Sequence, residues 1–289
     1  MGGVAQSELI ANLETPSGKG RGDENFPVGS WLIRRELRPH VHAFYRFARE
    51  ADDIADNATL PADEKVERLA RMGAILDGAP GTESPAALAM RQSLHETGVT
   101  AQHAHDVLRA FTQDAIKHRY RDWDDLMEYC RFSATPVGRH VLDLHGEPRD
   151  TWEFSDPLCD ALQVLNHLQD CVEDYRALDR VYLPEEDLAA CGSGIADLTN
   201  SQATPGLRKV IDGLLDGADR LIAKARGLPQ SIASAGLRRE TAVIVTLAEK
   251  LARRLRRGDP IARRVALTPG DFATALPMGL WRGRRWGLG

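Results

Sequence analysis

Two stretches of this chain place several aspartates on helices that are otherwise apolar, and no other feature limits the fold so strongly. The first is Asp52-Asp53-Ile54-Ala55-Asp56, inside FYRFAREADDIADN. At about 100° per residue, Tyr45, Arg49, Asp52 and Asp56 share one narrow stripe, with Asp53 at its edge. Phe44, Phe47, Ala48, Ala51, Ile54 and Ala55 cover most of the remaining surface. The second is Asp170-Cys171-Val172-Glu173-Asp174, where Gln163, Asn166, Asp170 and Asp174 form the stripe and Leu158, Leu162, Val164, Leu165, Leu168 and Val172 the rest. A helix apolar nearly all round is a buried helix. Carboxylates on such a helix are strongly destabilised by desolvation and mutual repulsion unless cations meet them.

Mg²⁺ suits this pattern. It prefers oxygen and binds through one or two carboxylates, with waters and substrate phosphates completing its shell. The expectation is two acidic faces opposed across a cavity, holding Mg²⁺ that in turn holds the diphosphate of a lipid-like substrate. Arg49, one turn before Asp52, could contact the same oxygens. The bland alternative is a solvated acidic edge with Arg/Asp pairs. It suits one Asp-x-x-x-Asp well and two on apolar helices poorly.

The remaining texture is helical. Helix-start signals recur at Pro61, Ser84-Pro85, Asp122, Ser155-Asp156-Pro157 and Thr204-Pro205, and hairpin signals are nearly lacking. Helices are expected at roughly 31–57, 63–77, 85–97, 102–118, 123–145, 156–177, 205–226 and 237–257, with Thr135-Pro136 kinking the fifth. Short connections favour one all-α domain at 25–275, after a disordered segment 1–24 and before a basic, aromatic tail 276–289. A net charge of −5 argues against nucleic acid as the main partner. No apolar run approaches a membrane span, and the N-terminal stretch lacks the apolar core of a signal peptide, so a cytoplasmic protein is expected. Cys130, Cys159, Cys171 and Cys191 form no C-x-x-C pair and read as reduced thiols. His40, His42, His103 and His105, at i,i+2 spacing, read as surface or satisfied histidines.

Three stretches, FYRFAREADDIADN (44–57), YCRFSATPVG (129–138) and LNHLQDCVEDYRALDRVYLP (165–184), resemble the squalene/phytoene synthase family in order and spacing. The resemblance implies a single-domain isoprenoid-synthase helical bundle with a central apolar cavity. It implies Asp52, Asp53 and Asp56 as one metal-binding motif and Asp170 and Asp174 as the other. Arg49 and Tyr45 fall where diphosphate is contacted, Tyr129 where the carbocation is steered, and Gln163 and Asn166 at polar cavity positions. Phe26 and Ser30 match a flap before the first motif.

Three departures stand out. FSATPVG replaces the usual Val-Ala-Gly-x-Val-Gly, Asn57 follows Asp56 where many members have another Asp, and Gln169 precedes Asp170 where the family often has arginine, removing a cation. The combination is similar to the bacterial hydroxysqualene branch of hopanoid synthesis, which ionises presqualene diphosphate and quenches the cation with water, without NADPH. A condensing synthase joining two prenyl diphosphates and a non-catalytic scaffold on the same fold stay open beside it. Tyr129 can equally be a core tyrosine. The quenching water is expected near Gln163, Asn166 or a carbonyl freed by Pro136. The Trp281-Arg282-Gly283-Arg284-Arg285-Trp286 run suits contact with anionic lipid, or simply a disordered or packed tail.

Overall fold

A computed structural model describes residues 32–283. Phe26, Ser30 and the end of the tail from Arg284 lie outside the described residues.

Pro39 decides where the first helix begins. It sits in the opening turn of α1 (Arg38–Ala55), where a missing N–H costs nothing. The expected start at residue 31 was therefore too early, since a proline that deep inside a helix would break it. Lys65 donates to the Ala55 carbonyl at the other end (2.8 Å). Then come α2 (Ala62–Leu76), α3 (Pro85–Thr97) and α4 (Gln102–Asp114). Together with α1 they enclose a core of Phe44, Phe47, Ile54, Leu69, Met72, Ile75 and Met90.

The single helix expected over 123–145 is two, α5 (Trp123–Ser133) and α6 (Thr135–Leu144), broken at Ala134 with Pro136 in the first turn of the second. Proline disfavours helical geometry at the residue before it and lacks the N–H to continue a ladder. The kink is thus a break and restart.

Next, α7 (Trp152–Leu178) is longer than expected, because Pro157 lies inside it rather than opening it. It ends at Asp179, the one non-glycine residue with positive φ (50°) among the described residues. The Asp179 N–H donates to the Tyr175 carbonyl (3.0 Å), the single bond of an αL cap, and the Arg180 N–H reaches the Asp174 carbonyl (3.3 Å). Arg119 clamps the turn through the Asp179 carboxylate (2.6 Å) and carbonyl. The chain then runs back beside 118–121, with Val181 N–H donating to the His118 carbonyl (2.9 Å). An isolated bridge between Arg119 and Val181 is the nearest thing to a strand among the described residues.

The second half comprises α8 (Glu185–Ala190), α9 (Pro205–Ala225), α10 (Leu228–Ser231), α11 (Ala235–Arg257) and α12 (Pro269–Arg282). The larger core, including Leu165, Leu168, Ile211, Leu215 and Leu251, joins α5, α7, α9 and α11. The segment α12 runs straight through residue 275, where the sequence placed the domain edge. Trp281 and Arg282 therefore belong to a helix packed on α11. Gly279 permits that packing, because a Cβ there would sit 2.6 Å from the Val243 Cα. No helix of the described residues is long and apolar enough to cross a membrane.

Candidate active site

Between the two cores lies a cavity of about 430 Å³, lined by both acidic stripes. Tyr45, Arg49 and Asp52 of α1 and Asp56 at its C-terminal cap border it, as do Gln163, Asn166, Asp170 and Asp174 of α7, and Tyr129 of α5. The eight residues of the two projected stripes thus meet in one space, together with Tyr129, which the resemblance singled out. Asp53 does not border the cavity. It is buried and ion-paired to Arg49 Nη2 (3.0 Å), and the Nη1 of the same guanidinium meets Asp52 (3.0 Å). Val41, Phe44, Phe111, Val137, Leu158, Leu162 and Leu237 supply apolar wall.

The structure adds a group that sequence reasoning missed. Asp114, at the end of α4, is 2% exposed. It accepts hydrogen bonds from Tyr129 (2.6 Å) and Tyr182 (3.2 Å). Arg180, 5% exposed, spans from Asp56 (2.8 Å) to the Asp114 carbonyl (3.1 Å), its Nε 3.8 Å from the Asp114 carboxylate. Both residues after the Asp179 turn are therefore aimed at the site by the way α7 ends. Tyr120, Tyr129, Tyr182 and His167 form an aromatic cluster, with centroids 5.3 Å apart for Tyr120–Tyr182 and 3.5 Å for His167–Tyr182. The hydroxyl proton of Tyr129 is committed to Asp114, which leaves its ring and oxygen lone pairs for other partners.

The electrostatics follow from burial. Desolvation, then the neighbouring Asp56, pushes Asp52 well above the usual carboxylate range, against the pull of Arg49. Desolvation raises Asp114 to about 6 despite Arg180 and the tyrosine hydroxyls. Desolvation and Asp114 keep Tyr129 protonated far above its ordinary range. For Asp52 and Asp114, then, burial outweighs the positive charge that the protein places beside them.

The loss of a cation at Gln169 is made good from elsewhere. Arg264, in the loop between α11 and α12, meets Asp170 through Nε (2.5 Å) and Nη2 (3.3 Å). Gln169 is itself 2% exposed and donates to the Val265 carbonyl (2.6 Å), tying that loop to α7. Nothing in the local sequence signals this, because the partners are 94 and 96 residues apart. Three of the four histidines singled out in the sequence have side-chain partners of their own. His40 meets Ser93, His103 meets Asp143 and His105 meets Asp77.

Among the described residues no group of three or more His, Cys, Asp or Glu converges on one point to hold a metal ion. The donor set is instead two carboxylate pairs, one on α1 and one on α7. That fits an ion needing only one or two protein oxygens and taking the remainder from water and phosphate.

The family model for squalene/phytoene synthase matches residues 19–271. The chain belongs to the squalene/phytoene synthase family. A hydroxysqualene synthase of Rhodopseudomonas palustris is 45% identical over 92% of this chain and 91% of the relative. That of Zymomonas mobilis is 45% identical over 86% and 84%. Among solved structures of the squalene/phytoene synthase fold, the squalene synthase HpnC of Alicyclobacillus acidocaldarius has 33% identity and a TM-score of 0.68, covering 80% of this chain and 87% of its own. A ligand-bound dehydrosqualene synthase, at 23% identity and a TM-score of 0.74, covers 87% and 88% and supports the all-α isoprenoid-synthase fold alone.

Proposed function

We propose that this enzyme converts presqualene diphosphate and water into hydroxysqualene and diphosphate. The observation that carries the reading is the joining of two acidic pairs to an apolar, aromatic-lined cavity in one space, in a chain about 45% identical to hydroxysqualene synthases along most of its length.

Asp52, Asp56, Asp170 and Asp174 would hold Mg²⁺. When bound, the ion supplies the positive charge that stabilises diphosphate as the C–O bond breaks. Arg49, Arg180 and Arg264 each already pair with one of these acids and lie ready to exchange a carboxylate for a diphosphate oxygen. Asp114 fixes Tyr129 and Tyr182 so that their rings keep one orientation beside the cation, where an aromatic face is worth about 0.5–2 kcal/mol. The apolar wall excludes bulk water, so the cation survives long enough to rearrange. No reductant enters this reaction.

The deciding experiment is product analysis with presqualene diphosphate and Mg²⁺, without NADPH. Hydroxysqualene and diphosphate are expected in equal amounts. Asp52→Asn and Asp170→Asn should each abolish turnover with the fold intact. Turnover of farnesyl diphosphate with no hydroxysqualene formed would mean a condensing synthase instead.

Such a substrate has to come from a lipid phase, and α12 suits a bilayer of anionic lipid. Phe272, Leu276, Met278 and Trp281 are 39–57% exposed on it. Arg239, Lys250, Arg253 and Arg257 line one stripe of α11, the helix against which α12 packs. Apolar helix beside basic stripe is the composition of an interfacial anchor. Sedimentation with phosphatidylglycerol vesicles should pull down the enzyme, and phosphatidylcholine vesicles should not. Leu276→Glu with Trp281→Glu should weaken that binding. Unchanged binding would dispose of the idea.

A further inference from the structure

Hydroxysqualene carries one hydroxyl that a cation losing a proton would not acquire. If the reading above is right, some group in a dry cavity must keep one water beside the cation and remove one of its protons. The inference below rests on that reading.

His167 sits on α7 between Asn166 and the Asp170 pair, borders the cavity and is 7% exposed. Its ring stacks on Tyr182 at 3.5 Å and 6°, and its centroid is 5.8 Å from that of Tyr129. One nitrogen, Nε2, lies 3.0 Å from the side-chain amide nitrogen of Gln163. The other, Nδ1, is buried with no hydrogen-bond partner among the described residues. Buried polar atoms are normally paired, and an orphan at the polar end of this cavity, where Gln163, Asn166 and Asp170 also border it, marks a place for a water. Burial, then Arg180, lowers the pKa of the ring to about 3, so at neutral pH it is an uncharged imidazole with one donor and one acceptor.

His140 is the rival, since both its ring nitrogens are also unpartnered. It stacks on Phe44, eight residues before Asp52 on α1, or about 12 Å along the helix axis. His167 instead stands in the tyrosine cluster that Asp114 and Arg180 tie to Asp56. It is therefore the better placed of the two to act where the leaving group departs.

We propose that His167 holds the quenching water at Nδ1 and accepts its proton as the C–O bond forms. In this tautomer Nε2–H donates to the Gln163 side-chain oxygen, which a half-turn of the amide brings to the ring at the same distance. With the amide so turned, Gln163 leaves Nδ1 as the basic nitrogen. The substrate's C–O bonding pair has already left with diphosphate. A water lone pair then forms the new C–O bond. One water O–H breaks, its electron pair stays on oxygen, and its proton passes to Nδ1. Diphosphate carries that proton out as hydrogen diphosphate.

The test separates ionisation from quenching in the full-length enzyme with Mg²⁺ and presqualene diphosphate. Diphosphate release and hydroxysqualene formed per diphosphate are measured for the wild type, His167→Phe and His167→Asn. The wild type should give one hydroxysqualene per diphosphate. His167→Phe should still release diphosphate, but with the alcohol fraction lower by at least about tenfold, the balance appearing as hydrocarbon from proton loss. His167→Asn, polar but a far weaker base, should also lose alcohol, and it decides the question alone if the phenylalanine variant does not fold. An unchanged alcohol fraction in folded variants overturns the assignment. So does a fall in diphosphate release matched by an equal fall in alcohol, which would make His167 structural. A wild type that forms no alcohol overturns the hydroxysqualene reading itself, a result distinct from either.

Discussion

Replacing His140 with phenylalanine should stabilise this enzyme, and the gain should grow as the pH falls. His140 is 1% exposed, stacked on Phe44 at 4.1 Å, with both ring nitrogens unpartnered. Each unmet buried polar group costs about 1–3 kcal/mol, and a slightly bulkier phenyl returns part of that through overpacking. The net gain at pH 7.5 should be about 1–2 kcal/mol. Burial, reinforced by His103 and His40, lowers the His140 pKa from 6.5 to about 3. Between those values the unfolded chain binds one proton more than the folded one. The stability contributed by the neutral ring is therefore complete above about pH 6.5 and is lost as pH falls toward 3. The slope is about 1.4 kcal/mol per pH unit, so about 2 kcal/mol is lost by pH 5, and only in the wild type. For a chain of this size that is an extra advantage of about 4–8 °C in Tm for the variant at pH 5. Denaturant titrations at pH 7.5 and pH 5 measure the difference directly. Parallel pH dependence in the two proteins would refute the reasoning, because it would mean that His140 is not buried as a neutral ring.

Other outcomes follow from single contacts. Arg180→Met leaves Asp114 buried with only tyrosine hydroxyls for company, which should cost about 3–5 kcal/mol and show as a large drop in Tm. Gln169→Leu should free the loop that carries Arg264, detectable as faster proteolysis near Ala262–Val265, with turnover falling in parallel with that of Arg264→Gln. Gly279→Ala forces a methyl to within 2.6 Å of the Val243 Cα and should displace α12 from α11, detected by hydrogen exchange over Pro269–Arg282.

The acidic stripes were legible in the sequence because they are local. Tyr45, Arg49, Asp52 and Asp56 are related by helical period alone, and so are Gln163, Asn166, Asp170 and Asp174. That period survives folding unchanged. Projection put Asp53 at the edge of its stripe, but it gives an angle and not the neighbour that occupies it, here Arg49. Asp114 had no local mark, being one acid at a helix end with its partners at 129, 180 and 182. Arg180 and Tyr182 were visible in RVYLP only as a pattern, because what aims them is the left-handed turn at Asp179. The late start of α1 is marked in the sequence by Pro39, which suits only the first turn of a helix. The helix Pro269–Arg282 was hidden by its glycines and prolines, and Gly279 is there for close approach to α11 rather than to loosen the chain.

The tie between Gln169 and Val265 bears on where this enzyme can be cut. All the residues that identify it by motif fall between positions 44 and 184. A fragment keeping only those would retain every cavity-facing aspartate and still lack Arg264, the cation seated on Asp170. Its second acidic pair would carry unbalanced charge, and the middle of α7 would expose an amide that now bonds Val265. The C-terminal third is therefore part of the binding site by charge, although it supplies none of the four paired aspartates.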